Sequence, residues 1–540
     1  MSKNLLNTKF DAIVVGSGAT GGIAALGLTQ KGLKTIVLEA GPDLKKKTYG
    51  SPFTNTLRQL KQHWFSKNQK TQEVHTGYWE TNPKLFVNDN ENPYSTPENK
   101  PFYWIRGRQV GGRSHTWGGV CLRFSDYEFK MGWPISHRDM DSFYSRVEQT
   151  LNVHGSRENL SQLPDGAFNE ATPLTPGEIF LKKEIKEKFN RDLIISRGIR
   201  AHRYAEKGES HSRLSSNQTS LKEASKTSHL TLKSGVVVSR ILIDEKTKKA
   251  IGVECIETQT GSKKEIYAPL VVLCASSIES VRILMNSKSE TFPNGIGAST
   301  GMLGKAIMDH IVNTVFFYLP KHKETSKFHL LGSDGLVIPR YNLDDTVHRG
   351  FGFWGGVSRM KFPPFLRKKP GTALGFVCCM GEALPSHKNF VEIDPKLKDK
   401  WGIPAVNIHY EWTPEDLKLS EKMRNDAIEM VKSAGAVHIG LNDVIRTPPF
   451  MKKIINTLDA RWKFSSPGLF VHEVGGAQMG SDPKTSVTNP YSQVWDCPNV
   501  VIGDGATFVS SGWQNPTLTE MALCLRASEH AADELRAGRL

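Results

Sequence analysis

A short apolar run, Phe10 to Val15, leads straight into Gly16-Ser17-Gly18-Ala19-Thr20-Gly21, and a second apolar run, Thr35 to Leu38, is followed by the acidic Glu39. Few local patterns restrict a fold as tightly. The spacing predicts a strand, a tight turn, a helix from Gly21 to Lys31 and a parallel strand, together a β-α-β unit. Each residue has a physical task. Gly16 permits the turn, Gly18 lets backbone approach a pyrophosphate, and Gly21 allows close packing of helix on strand. The pyrophosphate would rest on the unpaired N–H groups of the helix N-terminus, and Glu39 would accept hydrogen bonds from an adenosine ribose. The loop alone leaves FAD and NAD both open.

The remainder of the chain excludes several other classes. A chain of 540 residues is long enough for more than one domain. No apolar run approaches the ~18 residues that a membrane helix needs, the longest clear one being Pro269 to Ala275. Met1 to Lys9 carries neither an apolar core nor an Arg-Arg pair, so the expected compartment is the cytoplasm. The seven cysteines are odd in number and lack C-x-x-C spacing, which predicts reduced, buried thiols. The net charge of +15 comes from scattered lysines and arginines without a nucleic-acid motif, so no nucleic-acid partner is expected. The histidines show no paired spacing beside an acid, so no metal is expected, and Ser276-Ser277 lacks the elbow of a serine hydrolase. Arg359 to Pro370 and Pro448 to Lys463 mix basic, aromatic and proline residues, a composition suited to peripheral contact with a membrane or a partner subunit.

Hydrophobic periodicity divides the chain further. Trp133 to Val153 reads as a helix that introduces an irregular stretch to about Lys226. Short strands follow at His229 to Leu232, Val236 to Ile243 and Ala250 to Thr258; Pro269 to Leu273 returns to the buried-strand pattern, and Ile278 to Met285 continues as a helix. Alternation from about Ile311 to Tyr410 predicts an antiparallel sheet, Glu415 to Ala434 an amphipathic helix, and the Gly-rich chain after Ser465 a return to the first domain.

Two further segments choose between the dinucleotides: Gly107-Arg108-Gln109-Val110-Gly111-Gly112-Arg113-Ser114-His115-Thr116-Trp117-Gly118-Gly119, and His472 to Arg526, which contains His472-Glu473-Val474-Gly475-Gly476, Gly503-Asp504-Gly505 and Gln514-Asn515-Pro516-Thr517. With the N-terminal loop they resemble the glucose-methanol-choline (GMC) family of flavin oxidoreductases over nearly the full chain. Trp117 and the stretch Trp401-Gly402-Ile403-Pro404 resemble its pyranose-oxidase, gluconate-dehydrogenase and glucoside-dehydrogenase branch.

The resemblance implies an α/β protein in which a Rossmann-type FAD-binding domain (residues 1–42, 101–125, 227–310 and 465–540) is interleaved with an antiparallel-sheet substrate domain (311–464), with 43–100 and 126–226 as excursions or a lid. It implies that Gly111, Gly112 and Ser114 pass the flavin and diphosphate, that Val238 meets the adenine end, that Asp504 and Gly505 meet the ribityl chain, and that Asn515, Pro516 and Thr517 reach the pyrimidine edge. His472 and Asn515 match the family's catalytic pair. Hydride can leave an alcohol carbon only if the hydroxyl proton is removed, so a neutral imidazole serves as base and an amide holds the oxygen. Some relatives attach FAD through a histidine immediately before the tryptophan, where this chain has Thr116, so non-covalent FAD is expected. Gly476 replaces the family's threonine. The implied activity is oxidation of a sugar, glycoside or related secondary alcohol, as a dehydrogenase rather than an oxidase. The acceptor would be a small subunit, cytochrome or quinone, and such a partner could export the chain. Choline- or sterol-type alcohol oxidation, a lyase of the same fold and a partner-dependent flavin subunit are the alternatives.

Overall fold

The strand Ala12–Val15 is buried at every residue, as four consecutive apolar side chains without alternation require when both faces of a parallel sheet are covered. In the computed structural model, which describes residues 9–44, 68–74, 82–199, 214–324, 333–341, 350–359, 371–440 and 466–540, this strand pairs in parallel with Thr35–Glu39 and with Leu270–Leu273. Leu230–Ser234 adds to one side and Cys497–Ile502 to the other, also in parallel; Gln493–Val494 closes the edge antiparallel. The sheet is therefore assembled from widely separated stretches of chain. Alternate residues enter two cores. Ala12, Val14, Val272 and Val501 pack with the helices Ala19–Gln30 and Thr517–Arg536. Ile13, Val15, Val271 and Ile502 pack with the helix Ser277–Asn286 and the meander Val236–Asp244, Lys249–Glu257 and Lys263–Tyr267.

The second large sheet is antiparallel, in the order Val437–Ile439, His310–Lys323, Thr372–Glu382, Phe351–Val357, Leu336–Tyr341 and Ile194–Ile195. Odd-numbered residues of its long strand, Ile311, Val315, Phe317 and Leu319, pack under the helices Pro414–Ser433 and Pro176–Phe189. The even-numbered face packs in part on Val120, Leu122 and Trp513, while Thr314 and Phe316 line a cavity. Both sheets agree with the expected α/β architecture. Within the 311–464 stretch, Val391, Val406 and Ile408 of the hairpin Phe390–Lys398 and Pro404–His409 share the core of the parallel sheet.

Two differences from the sequence reading have local causes. The irregular stretch after Val153 contains the helix Pro176–Phe189, announced by Thr175-Pro176-Gly177-Glu178: Thr175 Oγ1 accepts from the Glu178 N–H at 3.3 Å and Glu178 accepts from the Thr175 N–H at 2.8 Å. The helix expected from Trp133 begins at His137, after Ser136 and Asp139 form the same reciprocal cap. Residues 360–370 and 448–463 lie outside the described residues, which removes most of the two basic-aromatic segments from view. Among the described residues no helix is long and apolar enough to cross a membrane, and all seven cysteines are buried and unbridged.

Candidate active site

A cavity of about 650 Å³ runs from the ends of the parallel strands to the even-numbered face of the antiparallel sheet. Its inner end is the glycine loop. Gly16 has φ +99, and a Cβ there would lie against the Cys274 carbonyl; a Cβ on Gly21 would lie against the Gly16 carbonyl. Those two glycines are demanded by the protein's own backbone. Gly18 differs, since a Cβ there would project into open space bordering the cavity, where a ligand can approach. Glu39 is committed to the loop: its carboxylate accepts from Ser17 N–H at 3.1 Å, Ser17 Oγ at 2.5 Å and Gly41 N–H at 2.8 Å. Burial raises its pKa against those hydrogen bonds.

Gly112, Ser114, Val238, Asp504, Pro516 and Thr517 also line the cavity. Ser114 Oγ donates to the Gly111 carbonyl at 2.5 Å and accepts from Ser216 N–H at 2.9 Å, so it braces the loop from within. Gly21, Gly111 and Gly505 adjoin lining residues and are constrained by their own neighbours. Gly111 at φ +95 gives room to His115, and a Cβ on Gly505 would strike Glu520 and Val474 at 2.7–2.8 Å. His115 Nε2 bonds the Val110 carbonyl at 2.8 Å, which holds that imidazole on the loop.

At the other end the chain turns sharply into His472. Val471 has φ +62, rare for a β-branched residue and costing about 1–3 kcal/mol, a strain that the surrounding packing maintains. His472 and Asn515 meet as the sequence implies, with Asn515 Nδ2 at 3.4 Å from His472 Nε2. A third residue was missed. His310 Nδ1 lies 2.8 Å from His472 Nδ1, and His310 Nε2 lies 2.9 Å from the Gly512 carbonyl.

A carbonyl can only accept, so His310 carries its proton on Nε2. Burial lowers its pKa to about 4, so it is neutral and its Nδ1 is an acceptor. His472 must then be protonated on Nδ1. Its Nε2 is left with a lone pair, facing the Asn515 amide. The sequence hint for this partner was slight, a histidine opening a long strand after Asp309. Gly476, in place of the expected threonine, has φ +100, and any Cβ there would press within 2.9 Å of Ile307 and Val281.

The cavity lining mixes both charges, Glu39, Glu279, Glu473, Asp504 and Glu520 with three arginines. Burial, then Glu473, raises Asp309 to about 7; burial raises Asp504 to about 6; burial, then Asp504, raises Glu520 to about 8. Of the three, Glu520 is the one held mostly neutral at pH 7, while Arg106, Arg108 and Arg113 line the same cavity. Against the desolvation of burial, Arg282, Arg108 and Arg106 hold Glu279 below the usual carboxylate range. Arg113 pairs with the buried Glu473 at 2.8 Å, and Arg106 lies 4.0 Å over the Trp104 ring. These arginines flank Gly107 and Gly112 and could have been read with them. Trp117 Nε1 and Asn515 Oδ1 are buried without a protein hydrogen-bond partner among the described residues, and both residues line the cavity. Open space at Gly18 before the helix N-terminus, cavity-lining arginines and unmet polar atoms fit a dinucleotide.

Comparisons with known proteins show the family of the chain. The chain is 26% identical to 2-methyl-1,2-propanediol dehydrogenase of Mycolicibacterium austroafricanum, over 96% of this chain and 94% of that relative. It is 22% identical to the gluconate 2-dehydrogenase flavoprotein of Pantoea cypripedii, over 94% and 91%. The fold is shared with the solved structure of a formate oxidase of Aspergillus oryzae, with a TM-score of 0.67 at 12% identity, covering 98% of this chain and 99% of that one. Matched by GMC oxidoreductase family models over residues 10–312 and 385–524, the chain belongs to the GMC oxidoreductase family.

Proposed function

We propose that this protein is an FAD-dependent alcohol dehydrogenase in which His472 Nε2 takes the hydroxyl proton while Asn515 Nδ2 holds the oxygen. The observation that carries the reading is the one-way hydrogen-bond chain from His472 through His310 to the Gly512 carbonyl, which leaves the lone pair of His472 beside the amide. When bound, FAD supplies a two-electron acceptor for the hydride. The protein supplies the rest. Gly16, Gly18 and the helix N-terminus hold the diphosphate, with Glu39 and Val238 toward the adenosine. Gly112 and Ser114 flank the flavin, Asp504 the ribityl chain, and Pro516 and Thr517 the pyrimidine edge. Protonating Nε2 leaves Nδ1–H donating to His310, so the imidazolium forms with its second nitrogen already paired.

The reading is tested by anaerobic reduction of the yellow holoprotein with a panel of alcohols and sugars. If no member bleaches the flavin, alcohol oxidation is wrong. The relatives include dehydrogenases and oxidases alike, and the dehydrogenase reading takes a small subunit, a cytochrome or a quinone as acceptor. Reduced enzyme should be reoxidised faster by a ferricenium salt than by air-saturated buffer. Rapid oxidation by air with stoichiometric peroxide, and no advantage for the artificial acceptor, would make it an oxidase.

FAD is held without a covalent bond in this reading, since Thr116 precedes Trp117 and His115 is bonded to the Val110 carbonyl. Acid precipitation should release all the flavin to the supernatant. Flavin remaining with the pellet would refute non-covalent binding.

His310 also makes a pH prediction. Its pKa in the fold, about 4, lies below the ordinary value near 6.5, so the unfolded chain binds the extra proton and stability is lost as pH falls from 6.5 toward 4. That loss is on the order of 3 kcal/mol. In His310→Gln, whose amide can donate to Gly512 and accept from His472, the acid loss should shrink while much of the activity survives. His310→Ala should lower flavin reduction by about tenfold or more. Equal acid sensitivity in wild type and His310→Gln, followed by thermal unfolding, would contradict a buried neutral imidazole.

A further inference from the structure

His310 opens the long strand of the antiparallel sheet, and its contact with His472 identifies which face of that sheet looks at the base. Side chains alternate along a strand, so Val312, Thr314 and Phe316 share that face with His310. The register carries the wall sideways: Val312 stands opposite Met380, Thr314 opposite Cys378, and Phe316 opposite Phe376. On the next strand Trp354 stands opposite Cys378. Thr314, Phe316, Trp354, Phe376, Cys378 and Met380 all line the cavity that holds His472 and Asn515, and Leu469 and Phe470 line it beside the base.

The polar inventory of this wall is small. Among its described residues there is no charged side chain. The Thr314 hydroxyl and the Cys378 thiol lie 3.4 Å apart and pair with each other, and Trp354 Nε1, buried without a protein partner among the described residues, is the one remaining side-chain N–H that a substrate oxygen could meet. Trp354 and Phe376 meet edge to face, with centroids 5.2 Å apart, which fixes a rigid aromatic surface.

A sugar placed against this surface would desolvate several hydroxyls and find few partners, at about 1–3 kcal/mol for each group left unpaired. An aryl or branched alkyl group of comparable size would gain about 25 cal/mol per Å² removed from water. Two unpaired hydroxyls are enough to separate the classes by about 10² or more. We infer that the substrate is an alcohol whose carbinol carbon bears an apolar aryl or branched alkyl body, seated on the Thr314–Phe316–Trp354–Phe376–Cys378–Met380 wall, and not a free sugar or sugar acid. The inference rests on the alcohol-oxidation reading, and it departs from the sugar or glycoside that the sequence resemblance implies.

The experiment measures anaerobic flavin reduction of the holoprotein by stopped flow, using benzyl alcohol, 1-phenylethanol and 2-methyl-1-propanol against D-glucose, methyl glucoside and D-gluconate. Second-order rate constants for the apolar alcohols should exceed those for the sugars by about 10² or more. Sugars reacting as fast or faster overturn the substrate class and leave alcohol oxidation standing. Failure of every compound to reduce the flavin overturns both. Phe376→Ser should then raise KM for benzyl alcohol by about tenfold and KM for ethanol by less, since ethanol covers less of the wall; Phe376→Leu, which preserves the packing volume better, should give a smaller shift in the same direction. An equal change for both alcohols in both variants means that the wall does not touch the substrate, and overturns the assignment.

Discussion

His472→Ala is expected to retain FAD and to lower the rate of flavin reduction by an alcohol on the order of 10² to 10⁴, the usual worth of a general base. The separation of binding from rate follows from position. His472 is near Asn515 at one end of the cavity, whereas the glycine loop and Glu39 lie at the other. Removing the imidazole deletes the lone pair without disturbing the turn at Gly16. It also leaves His310 Nδ1 without the donor now 2.8 Å away, so some loss of stability should accompany the loss of rate, about 1–3 kcal/mol for a buried acceptor left unpaired. Asn515→Ala should lower the rate less, since it removes an orienting donor and not the proton acceptor. The measurement is single-turnover flavin bleaching, normalised to bound flavin. A His472→Ala protein that bleaches at the wild-type rate would move the base elsewhere in the cavity.

The second large effect comes from one methyl group added at either of two neighbouring glycines. Gly21→Ala should destabilise the apoprotein by on the order of 3 kcal/mol, because the new Cβ meets the Gly16 carbonyl and neither backbone can yield. Gly18→Ala should leave apoprotein stability within about 0.5 kcal/mol. Gly18 has φ −65 and ψ −159, at the edge of the extended region and without the positive φ that penalises alanine, and a Cβ there meets nothing within 4 Å. Its cost falls on the ligand. FAD affinity should drop about tenfold or more, or ~1.4 kcal/mol. Thermal unfolding of the apoproteins and FAD titration separate the two. If Gly18→Ala binds FAD normally, the diphosphate does not pass over that residue.

The glycine loop was legible because its requirements are local. Two backbone collisions and one open approach follow from the spacing of Gly16, Gly18 and Gly21, and the buried flanking strands announce themselves by uninterrupted apolar runs. The helix Pro176–Phe189 was equally announced by its cap, and was missed because its polar surface dilutes the apolar period: only Gly177, Glu178, Leu181 and Ile185 are buried. His472 and Asn515 were legible as motifs carried over from a family.

The sequence by itself determined the glycine loop and the apolar runs that become parallel strands, because each depends on residues close together in the chain; His472 and Asn515, 43 positions apart, were marked only by the family resemblance. Tertiary structure alone decided what His310 does, since its tautomer is set by a Gly512 carbonyl reached only when the two sheets pack together. It alone decided the character of the wall that lines the cavity with His472. Alternation along His310–Lys323 says that two faces exist. Which one meets the base depends on long-range strand pairing and on the helices that cover the other.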